Sequence, residues 1–396
     1  MKDFTPHDFA ALIGIDWADQ KHDICEQPAG NKPRRLTVIA SRPEAIHAFA
    51  LDLKQRYPNQ PVTVGCELQK GPLIFALSQY RHLVLFPIHP ATVAKYRKAF
   101  THSGAKDDPT DAGIQTDILL RHMDKLRPLS PESPAIRALA QLTQYRRKLV
   151  QDWVDLSNCL TATLKNYYPQ VLDWFNEKDT HTFCDFLLKW PTLGQARRAR
   201  PATLLAFFQS HHARYPHVNA ERLHAIKQAR ALTQDPGVIE PNVLLVEVLL
   251  PQLKCLLEGI DRLDKDIKQR YGKLTDRKLF DSLPGAGPVM APRLLVAFGA
   301  NRDRYHTAAE LQKYAGVAPV IEQSGQHRWT HWRYSCPTFL RQTFIEWAGE
   351  SRRYSFWANA SRTTKSQRQT PSNHHSCIGL QVDTHRVCLL ENTYAL

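Results

Sequence analysis

Between Leu12 and about Arg121 the apolar residues switch repeatedly from alternate positions to a spacing of three to four, the pattern of a sheet with helices packed on it. LIGIDWA, HDICEQ and RLTVIA read as three successive strands. An amphipathic helix follows over PEAIHAFALDLKQRY, then a strand at VTVGCE, a helical GPLIFALSQYRH, a strand at LVLFPIHP and a helix opened by PTDAGIQTDILLRHM. The predicted order is three strands, helix, strand, helix, strand, helix.

The periodicity then changes for good. From Pro134 to Pro169, Leu139, Leu142, Leu149, Trp153, Leu156 and Leu160 recur at intervals that define one stripe of a long heptad-like helix. Arg146 interrupts the stripe, flanked by Arg147 and Lys148; solvent is its default surrounding and a phosphate the alternative. A second such helix is expected from about Val243 to Tyr271, with Leu253, Leu256, Ile260, Leu263 and Ile267 on its stripe. Two stripes of this kind predict a helical arm that pairs within the chain or between copies of it. The intervening residues 174–240 read as helical and punctuated by proline, and their QARRARP segment is strongly basic without any chemistry attached to it. Beyond the second stripe, FDSLPGAGPVMAPRLLVAFG is a Pro/Gly turn leading into a helix. Gly285 and Gly287 would let the backbone approach a phosphate there, although an ordinary loop before a core helix has the same look.

Composition narrows the partners. A formal net charge of +14 favours a polyanion, because a basic surface releases condensed counterions when it binds nucleic acid. An anionic membrane is disfavoured: no apolar run approaches about 20 residues, and MKDFTPHDFAALIGID has no signal-peptide core. A cytoplasmic protein is expected. The eight cysteines show no zinc-ligand spacing and read as reduced, mostly buried thiols. After Ser324, His327, Arg328, Trp329, His331, Trp332 and Arg333 interleave cations with aromatics, which suits stacking on unpaired bases and phosphate contact; a partly buried hairpin explains the mixture equally well.

Four acids stand out. Asp16 ends the strand LIGIDWA and Glu67 ends VTVGCE, and carboxylates in such places are costly unless they are hydrated, paired or bound to a cation. Asp108 and Asp111 share one face of a helix start. Together these acids would hold two hard divalent cations, as phosphoryl transfer requires. Taken singly, Asp108 before Pro109 is a good helix cap and Asp111 suits the helix dipole, while Asp16 and Glu67 are ordinary strand-end residues.

GIDWADQKHDI, VGCELQKGPL, FPIHPATVAKYRKAF followed by AKDDPTDAGIQTDIL, and LPGAGPVMAPRLLVAFG with KYAGVAPVIEQSGQ resemble, in order and spacing, the DEDD transposases of the insertion sequence one-ten family. The resemblance runs from about residue 12 to residue 360. It implies an α/β plus α architecture: a ribonuclease-H/RuvC-like domain over 11–130, a coiled-coil-like helical region over 131–275, and a mostly helical serine domain with a helix-hairpin-helix-like motif over 276–360. It maps a Mg2+ (or Mn2+) site onto Asp16, Glu67, Asp108 and Asp111, and a nucleophile onto Ser324. It also implies double-stranded DNA of element ends and target, a structured guide RNA, a homo-oligomer, and a bacterial cytoplasmic protein at the nucleoid when acting. Arg328, Trp329, Trp332, Arg333, Gly285 and Gly287 become nucleic-acid contacts. The family shows Lys-Thr-Asp where this chain has Lys106-Asp107-Asp108, and Asp108 is preferred as ligand because it alone keeps the three-residue step to Asp111. Without its context Ser324 before Gly325 is a turn serine. A junction-resolving nuclease that uses the acids alone, and an inactive nucleic-acid-binding remnant, are the rival readings.

The tail, 361–396, departs from the family, whose members end in a basic amphipathic helix. With freely chosen synonymous codons, Ser376–Gln381 can be written so that the frame shifted by one nucleotide reads RALAF, and Val382–Val387 so that it continues KWIRIV. Extended both ways, that frame gives a Gln/Lys/Arg/Gly-rich segment and then a basic helix with an apolar face. A frameshift near Ser361 is therefore expected.

Overall fold

Strands β1 (Ala11–Trp17) and β4 (Val62–Cys66) run parallel at the centre of a five-stranded sheet of order β3-β2-β1-β4-β5. β2 (Lys21–Pro28) pairs antiparallel with β1, β3 (Arg35–Ala40) antiparallel with β2, and β5 (Leu83–Pro87) parallel with β4. The computed structural model describes residues 4–30, 33–67, 70–100, 108–175, 177–178, 180–211, 215–300, 305, 307–351 and 354, with Asp108 described by its backbone alone. The tail on which the frameshift expectation falls lies outside the described residues. The chain divides into two units, Met1–Pro131 and Glu132–Leu396.

In the first unit both faces of the sheet are covered, which is why β1 and β4 read as nearly unbroken apolar runs. Helices α1 (Pro43–Arg56) and α2 (Pro72–Leu77) bury Ile46, Phe49, Leu53, Leu73, Ile74 and Leu77 against Ile13, Ile15, Val62 and Val64 on one face. On the other face α3 (Pro90–Phe100) and α4 (Asp108–His122) pack Val93, Ile114, Ile118 and Leu119 beside Leu12, Phe86 and Ile88. The alternation of side chains along a strand therefore assigns Leu12, Gly14 and Asp16 to the α4 face. α2 is shorter than GPLIFALSQYRH promises, and α3 is a helix the periodicity did not single out.

Among the described residues the second unit is helical apart from one hairpin. α5 (Pro134–Tyr167) and α11 (Pro236–Tyr271) lie side by side and are the two predicted stripes. α11 begins at Pro236, ahead of the expected Val243, and carries Pro241 and Pro251 inside it. Prolines read as breaks, and here packing overrides the lost backbone hydrogen bonds. Arg146 does not face solvent as expected by default: half-buried, it forks onto Asp264 of α11, with Nη2 to Oδ2 at 3.0 Å. A cation on the seam between two helices needs its partner on the facing helix.

Between the long helices, α6 (Val171–Trp174), α7 (His181–Lys189), α8 (Leu193–Arg198), α9 (Pro201–Ser210) and α10 (Pro216–Gln228) form a lobe. Its aromatic core of Phe175, Phe183, Phe186, Phe207 and Phe208 closes over Leu160 and Leu164 of α5 and Val246 and Leu250 of α11. After α11 come α12 (Arg277–Asp281), α13 (Met290–Phe298), α14 (Ala308–Ala315), the hairpin β6 (Val320–Ser324) and β7 (His327–His331), and α15 (Thr338–Ser351). Phe280, Leu294, Phe298, Leu311, Phe344 and Trp347 bury together with Leu139 of α5 and Ile267 of α11. Cys25, Cys66 and Cys184 are buried, but Cys159 and Cys255 lie exposed on the long helices, against the expectation of mostly buried thiols. Among the described residues no helix is long and apolar enough to cross a membrane.

The seating of α4 on the sheet is the tightest contact of the first unit. A Cβ at Gly14 would stand 2.0 Å from the Ala112 carbonyl oxygen and 2.7 Å from Thr116 Oγ1. Overpacking of this kind costs about 1–3 kcal/mol where side chains can yield, and more where backbone must. Gly14→Ala is expected to lower the unfolding free energy by about 3 kcal/mol or more; chemical denaturation monitored by circular dichroism measures it, and an unchanged midpoint would contradict the packing described.

Candidate active site

Register places two of the four singled-out acids together. Gly14 pairs with Gly65 and Ile15 with Cys66 across the parallel β1–β4 ladder, so the next step sets Asp16 beside Glu67, the first residue beyond β4. Side chains alternate along a strand, and the face that carries Gly14 and Gly65 carries Asp16 and Glu67 as well. Both acids are partly exposed. A Cβ at Gly65 would stand 3.0 Å from Leu119 Cδ1, so the two glycines lie under α4. The first turn of α4, with Asp108 and Asp111, belongs to the layer covering the face that holds the two strand-end carboxylates. The Thr116 hydroxyl donates to the Cys25 carbonyl oxygen at 3.0 Å and ties α4 to β2.

Asp111 is only 2% exposed. Its charge is balanced within the unit, because the guanidinium of Arg97, on α3, donates from Nε to Oδ1 at 2.7 Å and from Nη2 to Oδ2. Arg97 was not singled out in the sequence. The available signal was Pro90 opening a helical spacing through Val93 and Tyr96, together with the rule that a buried carboxylate requires a counter-charge. Two further acids escaped notice on β2. Asp23, 3% exposed, lies directly across the ladder from Asp16 and pairs with Lys21 at 3.1 Å. Glu26 points to the other face, where Arg56 and the Tyr57 hydroxyl bind it. Burial and this carboxylate push the Tyr57 hydroxyl up to about 12.

The donor chemistry suits a hard divalent cation: every singled-out group is a carboxylate, and Asp16 and Glu67 share a strand end and a face. In the conformation described, both oxygens of Asp111 are taken by Arg97, and among the described residues no three acids, cysteines or histidines converge at ligand spacing. The side chain of Asp108 lies outside the described residues.

Ser324 belongs to the second unit. It is the last residue of β6, pairs in register with His327, and precedes Gly325 at φ +59°. It is exposed, and no described residue hydrogen-bonds to its hydroxyl. The hairpin that follows is exposed on both strands, not partly buried. Glu322 accepts from Trp329 Nε1 and pairs with His331 Nε2, each at 3.0 Å, which raises the His331 pKa and lowers that of Glu322. Arg328 and Trp329 lie on β7, with Trp332 and Arg333 just beyond it; Trp329 and Trp332 present aromatic surface to solvent.

Gly285 and Gly287 line a cavity of about 720 Å3 with Arg146, Arg147 and Arg293. Gly285 has a structural explanation, since at φ +73° a Cβ there would meet the Ser351 amide nitrogen at 2.7 Å. A Cβ at Gly287 would meet nothing within 4 Å and would face open space.

Two family models match the chain. One, a DEDD transposase model, covers residues 13–169, and the other, described as a transposase of the IS116/IS110/IS902 family, covers residues 277–363. The chain is similar to the mini-circle candidate transposase for IS117 of Streptomyces coelicolor, at 29% identity over 88% of this chain and 86% of that one. It is also similar to a 43.6 kDa protein of insertion element IS110 from Streptomyces coelicolor, at 24% identity over 81% of this chain and 79% of the other. A 44.8 kDa protein of insertion element IS116 from Streptomyces clavuligerus is 28% identical over 59% of this chain and 58% of its own length. The strand-end acids and the serine hairpin fall inside the two matched stretches, and the chain belongs to the IS110/IS116/IS902 family of transposases.

Proposed function

We propose that this transposase cuts and rejoins DNA by transesterification, with Asp16, Glu67, Asp108 and Asp111 as the phosphoryl-transfer site and Ser324 as the nucleophile. The observation that carries the reading is the register of β1 and β4, which brings Asp16 and Glu67 side by side on the face covered by α4. Carboxylates gathered at strand ends are the donor set a hard divalent cation takes, and phosphodiester chemistry is a use for such a site.

The acids would hold Mg2+ or Mn2+, which when bound would polarise the phosphate and stabilise the departing oxygen. The chain's own residues do the rest. The Ser324 oxygen bonds to phosphorus as a phosphorus–oxygen bond to deoxyribose breaks, and the proton of the serine hydroxyl ends on the departing oxygen. One phosphodiester bond is exchanged for another, so rejoining needs no external energy source. A serine hydroxyl is a weak nucleophile until a base acts on it, and no described residue binds that of Ser324. Activation is therefore assigned to the assembled complex with DNA, in which a structured guide RNA and further copies of the chain would take part.

Arg97 has a defined part in this scheme. It neutralises Asp111 until another positive charge takes its place, and leaving that buried carboxylate alone is costly.

Asp16→Asn and Ser324→Ala are each expected to lower strand transfer by at least about a thousandfold. Only the wild type should leave protein bound to DNA after denaturation and phenol extraction; Ser324→Ala that still cleaves would support a metal-only nuclease instead. Arg97→Ala should lower the unfolding free energy by about 3–5 kcal/mol in metal-free buffer. Added Mg2+ should recover part of that loss in a thermal melt, whereas a variant as stable as wild type would show that Asp111 has another counter-charge.

A further inference from the structure

The α6–α10 lobe lies between the two stretches matched to the family and contains neither the acids nor the serine. One corner of it gathers positive charge. Arg197 and Arg198 stand in the last turn of α8, and Arg200 follows in an extended link, φ −65° and ψ 140°, that ends at Pro201. All three are exposed. Lys227, in the last turn of α10, donates its Nζ to the carbonyl oxygens of Arg197 and Ala199, the latter at 2.7 Å. That contact closes the end of α8 and brings the end of α10, with exposed Arg230 just beyond it, to the same corner.

Among the described residues no carboxylate pairs with any of these five cations. Elsewhere in the second unit several cations are neutralised singly. Lys148 pairs with Asp152, Arg270 with Asp266 and Arg277 with Asp281, each one helical turn away, and Lys254 reaches Asp185 of the lobe itself. The negative end of α8 offsets part of the charge of Arg197 and Arg198, but it does nothing for Arg200 or Arg230. Like charges crowded in this way repel, so the corner costs stability unless an anion meets it.

We infer that this corner is a contact for the phosphate backbone of nucleic acid, outside the strand-transfer site. Arginine forks match phosphate oxygens, and three of them within four residues can follow successive phosphates. Such a contact adds affinity and orientation without reading sequence. The inference rests on the chain being a transposase and not on the assignment of the acids or the serine.

The test replaces Arg197, Arg198 and Arg200 by Glu together, leaving Lys227 to hold α8, and measures binding to a mixed-sequence DNA duplex by fluorescence anisotropy over a salt series. Affinity should fall at least tenfold at low salt, and the slope of log affinity against log salt should flatten by about 2–3, the value for three lost phosphate contacts. The triple change to Lys should keep most of the binding. A control triple, Lys148, Arg270 and Arg277 to Glu, alters net charge equally and should change the slope far less. RNA duplexes and single strands of equal length tell which nucleic acid supplies the phosphates. Unchanged binding to every probe, or an equal loss in the control, would overturn the inference. Strand transfer at saturating DNA, measured in parallel, should persist in the Glu triple, so failure of the corner and failure of the catalytic reading are distinguishable.

Discussion

Helix α4 lies against β1 and β4 at a separation that only glycine allows, and the arrangement of the first unit follows from it. Gly14 and Gly65, paired across the central parallel ladder, leave the helix room for the Ala112 carbonyl and the side chains of Thr116 and Leu119. Any larger residue would lift α4 and with it the turn that carries Asp108 and Asp111. Two residues further along each strand, on the same face, come Asp16 and Glu67. The close packing of a core thus sets where a group of charges can stand at its edge.

Charge is handled differently in different parts of the chain. Buried acids receive dedicated partners: Arg97 for Asp111, Arg56 and Tyr57 for Glu26, Lys21 for Asp23. Removing one partner of such a pair strands the other in a poor solvent, which makes the pairs rigid requirements of the fold. The seam of α5 and α11 follows the same rule with Arg146 and Asp264. The exposed corner at the ends of α8 and α10 has no such partner among the described residues, as the proposed phosphate contact requires.

Much of this was legible in the chain. The strands β1 to β5 and the long helices follow from apolar spacing, because a buried face must repeat with the period of its backbone. Asp16 and Glu67 were visible as acids ending apolar strands, and the family resemblance rested on motifs that the matched stretches contain. What escaped depends on distant partners. Arg97 gains meaning only when α3 is laid beside α4, and α3 itself is too short and polar for its period to stand out. Arg146 looked solvated because its counter-charge is 118 positions away. The early start of α11 was hidden by Pro241, which signals a break unless packing compensates. The close approach of Gly285 to the backbone of α15 was likewise hidden, because it depends on residues 65 positions away. Ser324 has no local mark beyond a turn, and its assignment comes from resemblance alone.

The central claim is that the strand-end acids form a cation site completed when Arg97 releases Asp111. Anomalous diffraction from crystals of the transposase soaked in Mn2+ tests it most directly. An anomalous peak bounded by the carboxylates of Asp16 and Glu67 is expected, with the Arg97 guanidinium moved off Asp111. No peak there at millimolar Mn2+, with Arg97 still forked on Asp111, would contradict it.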